Sequence, residues 1–251
     1  MSVIILDAMG GDNCPDCNVD GAIKAVSERD DLRVILAGPE EILKARVRER
    51  NYTGERISFL DAPSVISLDE SPVLAIRTKK DSGIVKGINE VKNNRADAFI
   101  SAGSSGAVLA AGQLLIGRIR GVLRPPLGSL IPTEKGTSFF LDMGANVDAS
   151  PEWLHQFAML GSIYMERVMG VKNPTVKLVN IGLEEEKGNQ LTKEANRLLA
   201  EDKELLDALH RKLRRMMEKS SVMDTDAYMR ELEEAYQRIW KEYQEGTGSR
   251  V

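Results

Sequence analysis

The chain has 251 residues, 34 Lys and Arg against 38 Asp and Glu, a formal charge of −4, 42% hydrophobic residues and two cysteines. This is enough sequence for one large or two small domains with a proper core. It offers no basic footprint for a nucleic-acid partner, and its longest apolar run, residues 107–116, is far short of the roughly 20 residues a membrane helix needs.

The first residues, MSVIILDAMGGD, show neither a basic leader nor a small-residue cleavage site. Cys14 and Cys17 are too few for a disulfide framework, so a cytoplasmic protein is expected. Short apolar runs at 3–6, 33–37, 57–60, 98–101, 138–141 and 176–181 read as strands. The periodic segments at 19–28, 40–50, 73–80, 84–93, 107–120, 151–169 and 191–200 read as helices. This βαβα alternation predicts an α/β fold with a mostly parallel sheet covered by helices, in which ligands bind in turns at the C-terminal ends of strands.

Composition changes near residue 200. Pro174 is the last proline, and beyond residue 200 Leu205, Leu206, Leu209, Leu213, Met216 and Met217 fall at helical spacing. After SSVMDTD, where Asp224 or Thr225 can cap, Tyr228, Leu232, Tyr236, Ile239 and Tyr243 repeat the pattern. The expected domains are an α/β body over 1–200, a helical hairpin over 201–245 docked on that body or on a second subunit, and a disordered end over 246–251. The mixed charge of the hairpin favours protein contacts over peripheral contact with a membrane.

Four strand-end loops concentrate Gly, Asp, Asn and Ser. In Asp7-Ala8-Met9-Gly10-Gly11-Asp12 the paired glycines permit a sharp turn and close backbone approach. In Ser101-Ala102-Gly103-Ser104-Ser105-Gly106 small residues before a helix expose backbone N–H groups, and hydroxyls add donors, which suits phosphate or carboxylate; Ser104 or Ser105 could equally be a simple N-cap. The loop lacks both the lysine of a P-loop and the GxGxxG spacing of a dinucleotide fold. Asp142, Asn146 and Asp148 in the third loop could hold a ligand or close an Asx turn. In the fourth loop, Asn180 to Asn189, Lys187 could offer charge to an oxyanion or could belong to a solvated charge run. Between them, Arg118, Arg120 and Arg124 form a basic segment suited to an acidic partner, or to solvent. Cys14-Pro15-Asp16-Cys17 stands before a helix, as a redox pair would. His155 and His210 are isolated, so neither a metal set nor a Ser-His-Asp triad is supported.

In this order and spacing, DAMGGD, SAGSSGA, LDMGANVDASPE and NIGLEEEKGN resemble loops of the bacterial phosphate acyltransferase (PlsX) family. PVLAIRTKKDS, ADAFISAG, GRIRGVLRPPL and FAMLGSIY extend the resemblance over residues 1–200. It implies a Rossmann-like three-layer α/β/α sandwich that forms a homodimer. The implied reaction moves an acyl group from acyl-[acyl carrier protein] to inorganic phosphate, making acyl phosphate for phospholipid synthesis, with no cofactor and no metal. On that reading Ser101, Gly103, Ser104, Ser105 and Gly106 bind phosphate, and Asn146 and Lys187 polarise the carbonyl or the phosphate. Asp7, Gly10, Gly11, Asp142 and Asn189 shape the pocket, and Arg118, Arg120 and Arg124 dock the carrier protein.

Several positions depart from the family pattern. GGDHAP is here Gly10-Gly11-Asp12-Asn13-Cys14-Pro15, SAGNTGA is SAGSSGA, and NIGTEEKKGN is NIGLEEEKGN. The family's later strands and its DGFTGN-like loop have no counterpart, so the body is truncated relative to the family. Residues 223–240 instead resemble the C-terminal helix of bacterial SPINDLY-type peptide O-GlcNAc transferases. Two other readings therefore stand beside the enzyme: a catalytically silent, truncated or chimeric binding or scaffolding protein, and a phosphotransacetylase-like enzyme acting on acyl-CoA.

Overall fold

The computed structural model describes residues 1–134, 136–182 and 187–201. The expected hairpin over 201–245 and the end over 246–251 lie outside these residues, apart from Glu201. The chain divides into two compact units, Met1–Arg118 and a second that begins at Ile119.

The first unit runs β1 (Ser2–Asp7), α1 (Asp16–Glu28), β2 (Leu32–Gly38), α2 (Glu40–Glu49), β3 (Ile57–Asp61), α3 (Pro72–Thr78), α4 (Gly83–Lys92), β4 (Ala98–Ile100) and α5 (Ser105–Ala111). Its four strands form one parallel sheet in the order β3-β2-β1-β4, with Ile5 opposite Ile35 on one side and Phe99 on the other. The period-two alternation of strands sends neighbouring residues to opposite faces. Val34 and Leu36 therefore pack with Val19, Ala22 and Val26 of α1 and Leu43 and Val47 of α2, while Ile5, Ile35 and Ala37 form a separate cluster with Phe99. Gly87 of α4 comes so close to the sheet that a Cβ there would lie 3.2 Å from Ile5 Cγ2, and closer still to the Phe99 ring. The sheet is thus covered on both faces, which is why its strands read as nearly continuous apolar runs. Each large aliphatic side chain buried this way contributes about 1.5–3 kcal/mol.

In the second unit β5 (Gly128–Thr133) and β6 (Gly136–Leu141) pair antiparallel, with Ile131 opposite Ser138. Two helices follow, α6 (Pro151–Arg167) and α7 (Gln190–Glu201). Ser150 caps α6 by accepting from the Trp153 N–H at 3.3 Å, and Pro151 takes the first helical position, where its missing N–H costs nothing.

Three expected elements differ. Residues 138–141 belong to an antiparallel hairpin, because β5, which carries Pro132 near its end, gives them a partner only a turn away. The helix expected over 107–120 leaves α geometry at Ala111, passes through a π turn over Gly112–Ile116 and ends at Gly117, whose φ of 99° suits glycine. Residues 176–181 form no strand, and Val179 and Ile181 are 77% and 86% exposed. An apolar run becomes a strand only where another strand pairs with it.

No helix among the described residues is long and apolar enough to cross a membrane.

Candidate functional site

In a 3-2-1-4 sheet β2 follows β1 on one side while β4 joins β1 on the other, and the C-terminal ends of two strands at such a switch are where α/β sheets hold ligands. The first two glycine loops stand there. Asp7 is the last residue of β1 and is 5% exposed. Its Oδ2 accepts from the Ser101 hydroxyl at 2.7 Å, and its Oδ1 accepts from the Met9 N–H at 3.3 Å. The Gly103 N–H in turn donates to Ser101 Oγ at 3.0 Å. Burial pushes the Asp7 carboxyl above the usual aspartate range, against the Ser101 and Met9 bonds that favour its charged form.

The glycines here are spatial requirements. A Cβ on Gly10 would lie 2.7 Å from the Gly103 N and 2.9 Å from both Asp7 Oδ2 and Ser101 Oγ. One on Gly83, at the head of α4, would lie 2.9 Å from Asp7 Oδ1. Gly11 has a φ of 97°.

Asn18 lies outside the four loop motifs yet serves the first of them. This residue of α1 is buried, and its amide donates to the carbonyls of Gly10 at 2.8 Å, Ala8 at 2.9 Å and Asp7 at 3.4 Å. It shares the buried stripe of Ala22 and Val26, and a polar residue on such a stripe signals a fixed backbone partner.

Ser101 spends its proton on Asp7 and accepts the Gly103 amide, so in this arrangement both groups hold the loops together. Ser104 caps α5 by accepting from the Ala107 N–H at 3.3 Å. Ser105 and Gly106 are exposed, and as first-turn residues their amides have no carbonyl one turn back in the helix. These two, with the Ser105 hydroxyl, are the donors an anion would meet.

In the second unit Asp142 Oδ1 accepts from the Leu127 N–H at 2.6 Å, and its Oδ2 accepts from the Asn146 N–H at 2.7 Å and the Asn146 side-chain amide at 3.1 Å. The same Asn146 amide donates to Pro125 O at 3.3 Å. Asn146 therefore presents only its carbonyl oxygen. Lys187 is exposed and its backbone carbonyl accepts from the Asn180 side chain at 2.8 Å. Asn189 accepts from the Thr192 N–H at 3.0 Å at the head of α7, a capping arrangement. Leu183 and Glu186 lie outside the described residues. Arg118 closes the first unit, while Arg120 and Arg124 belong to the second, where Arg124 lies 5.1 Å from the centre of the Trp153 ring.

Cys14 and Cys17 are free thiols. No group of three or more His, Cys, Asp or Glu side chains that could hold a metal ion occurs among the described residues.

A family model described as "Fatty acid synthesis protein" matches residues 2–206. The phosphate acyltransferase of Clostridium beijerinckii is 49% identical over 199 residues, covering 79% of this chain and 60% of that protein. The phosphate acyltransferase of Halothermothrix orenii is 47% identical over 204 residues, covering 81% and 61%. The chain thus spans about 60% of the length of the curated relatives it matches. Among solved structures, a phosphotransacetylase from Streptococcus pyogenes matches with a TM-score of 0.54 at 17% identity, covering 80% of this chain and 66% of that one. The EutD phosphotransacetylase from Staphylococcus aureus matches with a TM-score of 0.57 at 18% identity, covering 82% and 66%. At these identities the likeness to the solved structures is one of fold.

Proposed function

Since the chain belongs to the fatty acid synthesis protein family, we propose that it transfers an acyl group from acyl-[acyl carrier protein] to inorganic phosphate. The observation that carries this reading is the bond between Ser101 and Asp7, which ties two glycine loops together at the C-terminal ends of adjacent parallel strands. Such loops hold a small anion against amide and hydroxyl donors without a bulky side chain in the way.

The reaction needs no protein nucleophile. A phosphate oxygen attacks the thioester carbonyl carbon, the carbon–sulfur bond breaks, and the proton of hydrogen phosphate passes to the departing thiolate, leaving acyl phosphate and free carrier protein. The protein's contribution is to hold phosphate close to the carbonyl and to stabilise the oxyanion as it develops. Ser105 and Gly106 offer phosphate their donors, with Gly103, Ser104 and Ser101 shaping the cradle. Asp7, Gly10 and Gly11 hold its floor, and Asp142 and Asn189 order their own loops. Lys187 supplies the positive charge, and Asn146 acts only if its amide releases Pro125 or Asp142. Arg118, Arg120 and Arg124 receive the acidic carrier protein, and the working enzyme is a cytoplasmic homodimer.

The test incubates the purified chain with acyl carrier protein thioester and inorganic phosphate, with a phosphate-free control and acyl-CoA as a second donor. Phosphate-dependent release of carrier thiol with acyl phosphate supports the reading. Turnover of acyl-CoA alone moves the chain to phosphotransacetylase chemistry. A folded chain that turns over neither thioester is a binding or scaffolding protein.

A further inference from the structure

We infer that Glu70 and Lys79 are positioning residues of the phosphate cradle, because together they hold the connection between β3 and α3 beside both glycine loops. The inference rests on the reading of those loops as a phosphate site. Residues 62–71 carry no glycine and none of the residues so far placed at the site. The fold nevertheless brings the connection there at two points. Ser64 forms a parallel β-bridge with Ser82, and the residue after Ser82 is Gly83, whose Cβ would meet Asp7 Oδ1 at 2.9 Å. At its other end the connection delivers Pro72, the first residue of α3, to Gly106, where a Cβ would lie 3.0 Å from Pro72 Cγ. Gly106 is one of the two residues whose amides an anion would meet, so the proline ring fills the side-chain space of a phosphate donor.

Few apolar contacts fix this connection. Pro63, Val65, Ser67, Leu68 and Asp69 are exposed, and Ile66 alone of its residues joins the buried cluster that includes Ala107 and Ala111. A segment with so little buried surface opens at low cost unless polar bonds close it.

What closes it is one carboxylate oxygen. Glu70 Oε1 accepts from the Ser67 N–H at 2.7 Å, from the Ser67 hydroxyl at 2.8 Å and from the Lys79 ammonium at 2.7 Å. The same ammonium donates to the Val65 carbonyl at 2.6 Å. Lys79 stands immediately after α3, where its N–H donates to the Ala75 carbonyl at 2.8 Å. The middle of the connection is thereby tied to the end of the helix whose start touches Gly106. An isolated surface ion pair contributes little, whereas charge-assisted bonds converging on one oxygen order a segment. Lys79 first, then the Ser67 amide and hydroxyl, hold the pKa of the Glu70 carboxyl down to about 2, so the clamp stays charged at neutral pH.

The experiment uses the full chain and two readouts: the amide NMR resonances of Ser105 and Gly106 without ligand, and the affinity for inorganic phosphate by calorimetry. Glu70→Ala and Lys79→Ala each open the clamp. Glu70→Gln keeps an acceptor for Ser67 and Lys79 while losing the charge. Glu90→Ala removes another surface pair, with Arg95 at 2.8 Å, near the end of the sheet where β4 begins. The two clamp alanines are expected to shift both amides and to weaken phosphate about tenfold, the scale on which a displaced positioning contact acts. Glu70→Gln is expected between them and the parent, and Glu90→Ala is expected to match the parent in both readouts.

Glu70 and Lys79 are both partly exposed, so their variants should fold, which far-ultraviolet circular dichroism checks. Glu70→Gln, which preserves the size of the side chain, carries the test if an alanine variant does not. The inference is overturned if the folded variants leave the two amides in place, if they bind phosphate as the parent does, or if Glu90→Ala moves either readout as far. A parent chain that binds no phosphate overturns the phosphate reading as well. Because the amide readout needs no ligand, the two failures are distinguishable.

Discussion

Ser101 and Asp7 stand 94 positions apart in sequence and are joined by a hydrogen bond of 2.7 Å between the ends of two adjacent parallel strands. The bond occupies the proton of one residue and the buried carboxylate of the other, so each depends on its partner. Ser101→Ala should leave the Asp7 charge short of its nearest donor and cost about 1–3 kcal/mol in urea unfolding. The Asp7 carboxyl resonance should titrate at still higher pH than in the parent. An unchanged midpoint would detach the two residues.

The raised Asp7 pKa has a definite sign in stability. Folded Asp7 holds its proton to higher pH than the unfolded chain does, so its contribution falls as pH rises from the ordinary aspartate value through the folded one. Comparing the pH dependence of unfolding for the parent and Asp7→Asn should show the parent losing ground to the variant across that window. A difference that grows in the parent's favour would contradict the assignment of burial as the larger cause.

Two glycines should respond in opposite ways to alanine. Gly10→Ala drives a methyl against the Gly103 backbone and the Asp7–Ser101 pair, and should destabilise by about 1–3 kcal/mol or displace the loop. Gly21 lies within α1, and nothing stands within 4 Å of the position its Cβ would take. Gly21→Ala should stabilise by about 0.5–1 kcal/mol through helix propensity alone. Thermal unfolding of the pair separates a spatial requirement from a conformational one.

Asn18→Leu keeps the size of the side chain while leaving the carbonyls of Asp7, Ala8 and Gly10 without their shared donor. A loss of about 1–3 kcal/mol is expected, with faster hydrogen exchange at the Met9 and Gly10 amides. Exchange identical to the parent chain would assign Asn18 to helix packing only.

Lys187→Ala should abolish phosphate-dependent release of carrier thiol while the urea midpoint stays put, because the side chain is exposed. Near-normal turnover would remove Lys187 from the reaction.

How far the sequence reaches is clearest in residues 1–118. Strand and helix periods differ, 2 against 3.6, so runs such as Val34–Ala37 and the stripe Asn18, Ala22, Val26 announce their element and its buried face locally. Collinear loops likewise placed Asp7, Gly10, Ser101 and Gly103 in one family pattern, and the parallel order of the strands brings them to one end of the sheet. Local pattern does not say which strand will pair with which. The antiparallel β5–β6 hairpin and the unpaired run at 176–181 were therefore decided only in three dimensions. The same holds for the use of each polar group. Sequence alone determined that hydroxyls and amides gather at the strand ends. Only the tertiary structure decided that Ser101 gives its proton to Asp7 and that Asn146 gives its amide to Pro125 and Asp142, because a hydrogen bond depends on distances between residues that the chain separates.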